Sequence, residues 1–125
     1  MIEVSAGVVR DGRGRVLICR RTGALEGLWE FPGGKREAGE SFADCLRREL
    51  MEELELPVLV GETLDTVTRE DGGRTIQLVF MAATLERDVE PRLHVHGKAE
   101  WVEPSRLSEY PFCSGDRTFL QRTKL

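Results

Sequence analysis

No stretch of the sequence approaches the ~20 consecutive apolar residues that a membrane-crossing helix requires. The opening Met1-Ile2-Glu3-Val4 carries neither the basic nor the apolar segment of a signal peptide. No membrane partner is expected, and a cytoplasmic location is. Aromatic residues are scarce at 6%, and there is no internal repeat, low-complexity tract or linker. Nor is there an excess of base: 18 Lys and Arg against 22 Asp and Glu leave a net charge of −4, with the two signs interspersed. That argues against a face for polymeric nucleic acid and suits a free nucleotide better. The three cysteines, Cys19, Cys45 and Cys113, are odd in number and lack metal-ligand spacing, so they read as reduced packing residues. What is present is 125 residues, 40% apolar and 32% charged, the size of one domain over 1–125 with a real core.

Along the chain, residues 2–10 and 15–21 are β-rich runs joined by the turn signal Asp11-Gly12-Arg13-Gly14, which predicts a hairpin. The second run ends in Arg20-Arg21. As charge at a strand end the pair is ordinary; just ahead of a glycine turn it is also a candidate phosphate grip. Residues 29–35, Trp29 to Lys35, read as a short strand entering a tight turn, where Gly33 and Gly34 permit positive φ and a close approach of backbone to a ligand. A helix is predicted from Ser41 as N-cap to Glu53–Glu55, stopped by Pro57. Beyond it come one long or two irregular strands over 58–70, a second hairpin signal at Asp71-Gly72-Gly73, a strand over 74–85, a polar loop over 86–98, a last strand over 99–103, a short helix from Ser105 and a terminal helix over 116–122. Periodicity alone gives α/β or α+β.

Gly34 to Leu56 organises the chain. On the predicted helix Glu49, Glu52 and Glu53 stand at i, i+3 and i+4, so their carboxylates point toward one small volume. At ~100° per residue, Glu53 projects between Phe42 and Leu46, on the apolar flank. Burying an unpaired charge there would cost several kcal/mol. A divalent cation of the oxygen-preferring kind, magnesium or manganese, is the simplest compensation. The competing reading is a solvated acidic helix paired with Arg47 and Arg48.

Read from Gly34, the spacing runs through Glu40 and then Arg48-Glu49-Leu50, Glu52-Glu53 and Glu55-Leu56. This 34–56 stretch resembles the Nudix box. One position departs: the family's glycine near the helix end is Glu55, and a non-glycine residue in a left-handed cap costs on the order of 1–2 kcal/mol. The resemblance implies a Nudix α/β/α sandwich with a central mixed sheet and a divalent-metal-dependent hydrolase of nucleoside diphosphate derivatives, using Mg2+ or Mn2+. It implies Glu49, Glu52 and Glu53 as metal ligands, joined by the Gly33 carbonyl. Arg48 would orient Glu49, and Glu40 would pair within the site; for Arg48 the alternative is a plain surface ion pair.

The family often adds a glutamate from the loop before the last strand, as ligand or base. Here that loop has His94-Val95-His96. A histidine suits a base near neutrality and can ligate a softer metal. Otherwise both stand at the pocket mouth and the base lies in the box, at Glu52 or Glu53. The run Glu30-Phe31-Pro32-Gly33-Gly34-Lys35 resembles the MutT-type branch, which converts a nucleoside triphosphate to the monophosphate and pyrophosphate. By that resemblance Phe31 lines the base pocket, Arg74 is a base contact and Lys35 reaches the phosphates. The stretch Tyr110 to Asp116 resembles bacterial CTP pyrophosphohydrolases. Asp116 falls where 8-oxo-dGTP hydrolases carry asparagine; an ionised aspartate only accepts, which suits the exocyclic amine of cytosine or adenine, unless it merely caps the last helix. The expectation is a monomeric or homodimeric enzyme acting on (d)CTP-like or oxidised deoxynucleotides in pool sanitation. The alternatives are a Nudix hydrolase of ADP-ribose or dinucleoside polyphosphates, and a non-catalytic nucleotide-binding module.

Overall fold

The computed structural model describes residues 1–125. Strands β1 (Ile2–Arg10) and β2 (Val16–Arg20) form the predicted hairpin, with Asp11 accepting from the Arg13 and Arg15 amides in the turn, each at 2.9 Å. The two strands pair only at Arg10 and Val16, then diverge. Into the gap beside β1 comes β4 (Gly33–Lys35), antiparallel, while β2 takes β3 (Trp29–Glu30) and β7 (Lys98–Val102) as antiparallel neighbours. On its other side β1 runs parallel to β6 (Arg74–Leu85), which pairs antiparallel with β5 (Val58–Asp71). The sheet is therefore mixed.

Alternation along β1 and β2 assigns the two faces. Val9, Leu17 and Cys19 face helix α1 (Phe42–Leu54), packing with Leu46, Leu50 and Leu54. Full burial of a leucine is worth about 1.5–3 kcal/mol, so this stripe anchors the helix firmly. Ala6, Val8, Val16 and Ile18 face the other layer, a 3₁₀ turn (Pro104–Glu109) and helix α2 (Ser114–Arg122). That layer is aromatic: Phe80 stacks on Phe119 with centroids 4.2 Å apart, and Phe31 on Phe112 at 5.4 Å. The expected α/β/α sandwich results. No helix is long and apolar enough to cross a membrane.

Several local expectations change. The 29–35 segment is two strands, broken at Phe31-Pro32 because proline has no N–H to extend a ladder. Gly33 and Gly34 are not at positive φ. They are glycines because a Cβ would collide, at Gly33 with the Ser5 carbonyl and at Gly34 with the Glu49 carboxylate. The 58–70 region is one strand made irregular by register shifts between Val60 and Asp65. Helix α2 starts two residues early, at Ser114, so Asp116 does not cap it. All three cysteines are free and buried.

Candidate active site

Helix α1 begins as its sequence dictates: the Ser41 hydroxyl accepts from the Asp44 amide at 3.0 Å. It ends at Glu55, in the left-handed conformation with φ 52° and ψ 38°. Between these ends Arg48 gathers the acids. Its guanidinium grips Glu40 with two bonds of 2.8 Å, donates to Glu49 at 2.8 Å and to Glu52 at 3.2 Å, and reaches the Lys35 carbonyl at 3.0 Å. The Arg48 hydrogen bonds, helped by the Glu37 amide, hold Glu40 down at about 2. A guanidinium fork suits this bidentate task better than an ammonium would.

Of the three glutamates, two lie side by side and one is turned to Arg48. Glu52 is 58% exposed and turned toward Arg48, and no three His, Cys, Asp or Glu side chains are grouped to enclose a metal. Arg48 bonds Glu52 and Glu49 together. Glu49 and Glu53 do lie together. Glu53 points inward, as its helical angle predicts, and its Oε1 is buried with no hydrogen-bond partner. Burial above all raises its pKa, to about 7, with Glu49 and Glu30 adding to the effect and His96 opposing it.

A bare, buried carboxylate oxygen must take up a proton or a cation. With Glu49 beside it and a glycine backbone under that carboxylate, the donors are hard oxygens of the kind that magnesium and manganese accept. The residues present therefore fit a divalent metal.

Glu53 opens into a cleft of about 280 Å³ lined by Arg21, Thr22, Glu30, Val95 and His96. The contents arrive from β2 and its neighbours. Cys19 pairs with Glu30 and Arg20 with Lys98, so β2 holds β3 and the end of the 86–97 loop side by side. His96, only 4% exposed at its side chain, bonds Glu30 through Nε2 at 2.8 Å, while its Nδ1 is buried without a partner. Arg21 bonds the other Glu30 oxygen at 2.9 Å. Burial works to raise Glu30, but His96 and Arg21 outweigh it and hold it below the usual carboxylate range.

The two loop histidines part company. His96 enters the cleft, whereas His94 turns away and bonds Glu55 at 2.6 Å. The two arginines also differ: Arg21 lines the cleft, while Arg20 runs along Gly97. Gly33 lies in β4 against the Ser5 backbone, and its neighbour Gly34 lies under Glu49. Lys35 is exposed at the end of the same strand, and Arg74 is exposed at the β5–β6 hairpin beside Asp71.

Phe31 and Asp116 are not cleft-lining. The Phe31 ring is 3% exposed, locked among Phe80, Phe112 and Phe119. Asp116 is also buried, accepting from the Phe31 amide at 3.0 Å, and burial raises its pKa to about 7. Glu30 is the residue that sequence reasoning passed over. Its signal was its place between Trp29 and Phe31, whose burial on one face puts the intervening side chain on the other. Glu100, by contrast, is occupied with Lys98 at 2.9 Å and Tyr110 at 2.7 Å.

The NUDIX domain family matches residues 1–123. The chain is 38% identical over 125 residues to the CTP pyrophosphohydrolase of Escherichia coli K12, covering 97% of this chain and 90% of that one. It is 39% identical over 85 residues to the 8-oxo-dGTP diphosphatase of Proteus vulgaris, covering 66% and 76% of the two chains. Among solved structures, the E. coli ORF135 protein superposes with a TM-score of 0.82 at 35% identity, covering 97% of this chain and 86% of that one. With the box residues assembled on α1 and the family matched almost end to end, the chain belongs to the Nudix family of hydrolases.

Proposed function

We propose that this domain hydrolyses a nucleoside triphosphate, (d)CTP-like or carrying a modified base, to the monophosphate and pyrophosphate. The observation that carries the reading is the partnerless Glu53 oxygen beside Glu49, opening on a cleft that also holds a cation, Arg21, and an imidazole with one free nitrogen. Similarity to a CTP pyrophosphohydrolase supports the choice of substrate class.

Glu53 and Glu49, with the Gly33 carbonyl and Glu52 after it leaves Arg48, are the residues that would hold Mg2+ or Mn2+. When bound, the ion neutralises phosphate charge and makes water a better nucleophile. The remaining work belongs to the chain. Arg48 keeps Glu49 aimed while Glu40 fixes Arg48 from behind. Arg21 can trade Glu30 for a phosphate oxygen, a charge-assisted bond of similar strength. Glu30 holds His96 by Nε2, which leaves Nδ1 without a partner as the nitrogen to take the proton of the attacking water. Water adds to phosphorus, the bridging P–O bond breaks, and pyrophosphate leaves with the electron pair. Lys35 and Arg74, exposed and free, serve the phosphates and the base. Asp116 acts through the Phe31 amide, setting the β3–β4 turn, and contributes to specificity by position.

The test is phosphate release across CTP, dCTP, 5-methyl-dCTP, dATP, dGTP and 8-oxo-dGTP, with and without magnesium, and with pyrophosphatase added. Phosphate appearing only with both magnesium and pyrophosphatase is the expected result. Release without added pyrophosphatase, or inactivity on all six, would refute the reaction as written.

A further inference from the structure

The family's glycine at the end of this helix is Glu55 here, held in a conformation that glycine would adopt without strain. Its side chain is not idle. The Glu55 carboxylate takes a 2.6 Å bond with His94 Nε2. Two backbone bonds run parallel to it: the Arg92 amide donates to the Leu54 carbonyl at 2.9 Å and the His94 amide to the Glu53 carbonyl at 3.3 Å. These carbonyls belong to the last turn of α1, which has no intrahelical partners for them, so the 92–94 segment caps the helix.

Two residues later the same segment enters the cleft. The Val95 carbonyl accepts from Thr22 Oγ1 at 2.9 Å, His96 meets Glu30 at 2.8 Å, and the Gly97 amide donates to the Arg20 carbonyl at 3.0 Å. The loop is thus fixed at both sides of His96, to the helix by Glu55–His94 and to β2 by Gly97.

We propose that Glu55 and His94 are a positioning pair, setting where His96 stands relative to Glu53. Both side chains are about half exposed, at 47% and 49%, and an exposed pair contributes little to stability. The pair acts on geometry: without it the loop keeps its fold and is held to the helix only by the Arg92 and His94 amides, so its distance from the helix is less tightly set. The bond needs only an Nε2–H on His94, so either charge state of the ring serves. The role in hydrolysis rests on the activity proposed above, whereas the docking of the loop does not.

The experiment compares Glu55→Gly, Glu55→Asn, His94→Ala, His94→Gln and the Glu55→Gly/His94→Ala double variant. Glycine and asparagine both accept the left-handed conformation, but neither reaches His94. Thermal stability should hold or rise in both, while kcat/KM for the best triphosphate falls roughly three- to fivefold, mainly in kcat. His94→Ala should lose the same factor, the double variant no more than either single, and His94→Gln should recover most of it through its carboxamide N–H. Amide hydrogen exchange over 92–97 should quicken in every variant that lacks the bond. Unchanged exchange, or losses that multiply in the double variant, would overturn the pair. If exchange quickens while Glu53→Gln leaves hydrolysis intact, the docking stands and the activity reading is what fails.

Discussion

Glu53 and Asp116 are two carboxyl groups on opposite faces of one sheet, each pushed by burial to about 7. Both feel the charge of Glu30, but their bonding differs. Asp116 lies beside the aromatic layer, 8% exposed, its Oδ1 accepting from the Phe31 amide. Glu53 stands at the rim of the aliphatic layer with an oxygen that nothing in the protein bonds, facing a charged cleft. A raised pKa alone therefore does not mark a site. The accompanying unmet bonding capacity, with room for a ligand beside it, separates the catalytic candidate from the structural tie.

This comparison breaks most directly at Glu53. Glu53→Gln should lower hydrolysis on the order of a thousandfold, since it removes an anionic ligand, while melting temperature at pH 8 stays level or rises. An active Glu53→Gln protein would put Glu53 in the same class as Asp116.

The neighbouring glycines sharpen it next. At Gly33 an added Cβ meets the Ser5 backbone, which cannot yield, so Gly33→Ala should cost about 3 kcal/mol or more in denaturant unfolding. At Gly34 it meets only the movable end of Glu49, so Gly34→Ala should leave stability within about 1 kcal/mol and cut activity. Equal stability losses at both positions would contradict the site's placement on Glu49.

Arg48→Ala frees Glu49 and Glu52 and should weaken activity about 10- to 100-fold, the scale for residues behind metal ligands. Steady-state rates at saturating and limiting magnesium distinguish that from a surface pair, whose loss would leave both unchanged.

The smallest effect concerns Asp116. Its folded pKa of about 7 lies above its ordinary 3.8, so the folded state binds the proton more tightly. That contribution to stability is complete below pH 4 and is lost as pH rises through 7. Asp116→Asn keeps an acceptor for the Phe31 amide and removes the titration. It should gain about 2–3 kcal/mol over the parent between pH 5 and pH 8 in urea unfolding, with little change in kcat. A parallel pair of stability curves would show that Asp116 does not titrate in this range.

Much of this was legible in the chain. Helix α1 was bounded nearly to the residue because Ser41 offers its hydroxyl, Pro57 forbids extension, and the leucines repeat at helical spacing. The inward turn of Glu53 followed from the same angular count. Less legible was anything set by distant partners. Glu30 and His96 are 66 positions apart, and only the β2 register brings them together. Asp116 shares a helical face with Phe119, a sign of burial that its chemistry obscured. The glycine pair looked like a turn because sequence reports glycine without saying whether φ or a neighbour's bulk demands it.

Strand β2 has a consequence for how the site responds to change. It carries Glu30 through β3 and His96 through β7, so these two travel as one body, while Glu49 and Glu53 travel with α1. The gap between the two bodies is set by the apolar contacts of Leu17 and Cys19 with Leu46 and Leu50. Side chains that never see a nucleotide thus act as the spacer of the cleft. Trimming or enlarging them would retune the reach between imidazole and carboxylate without touching either.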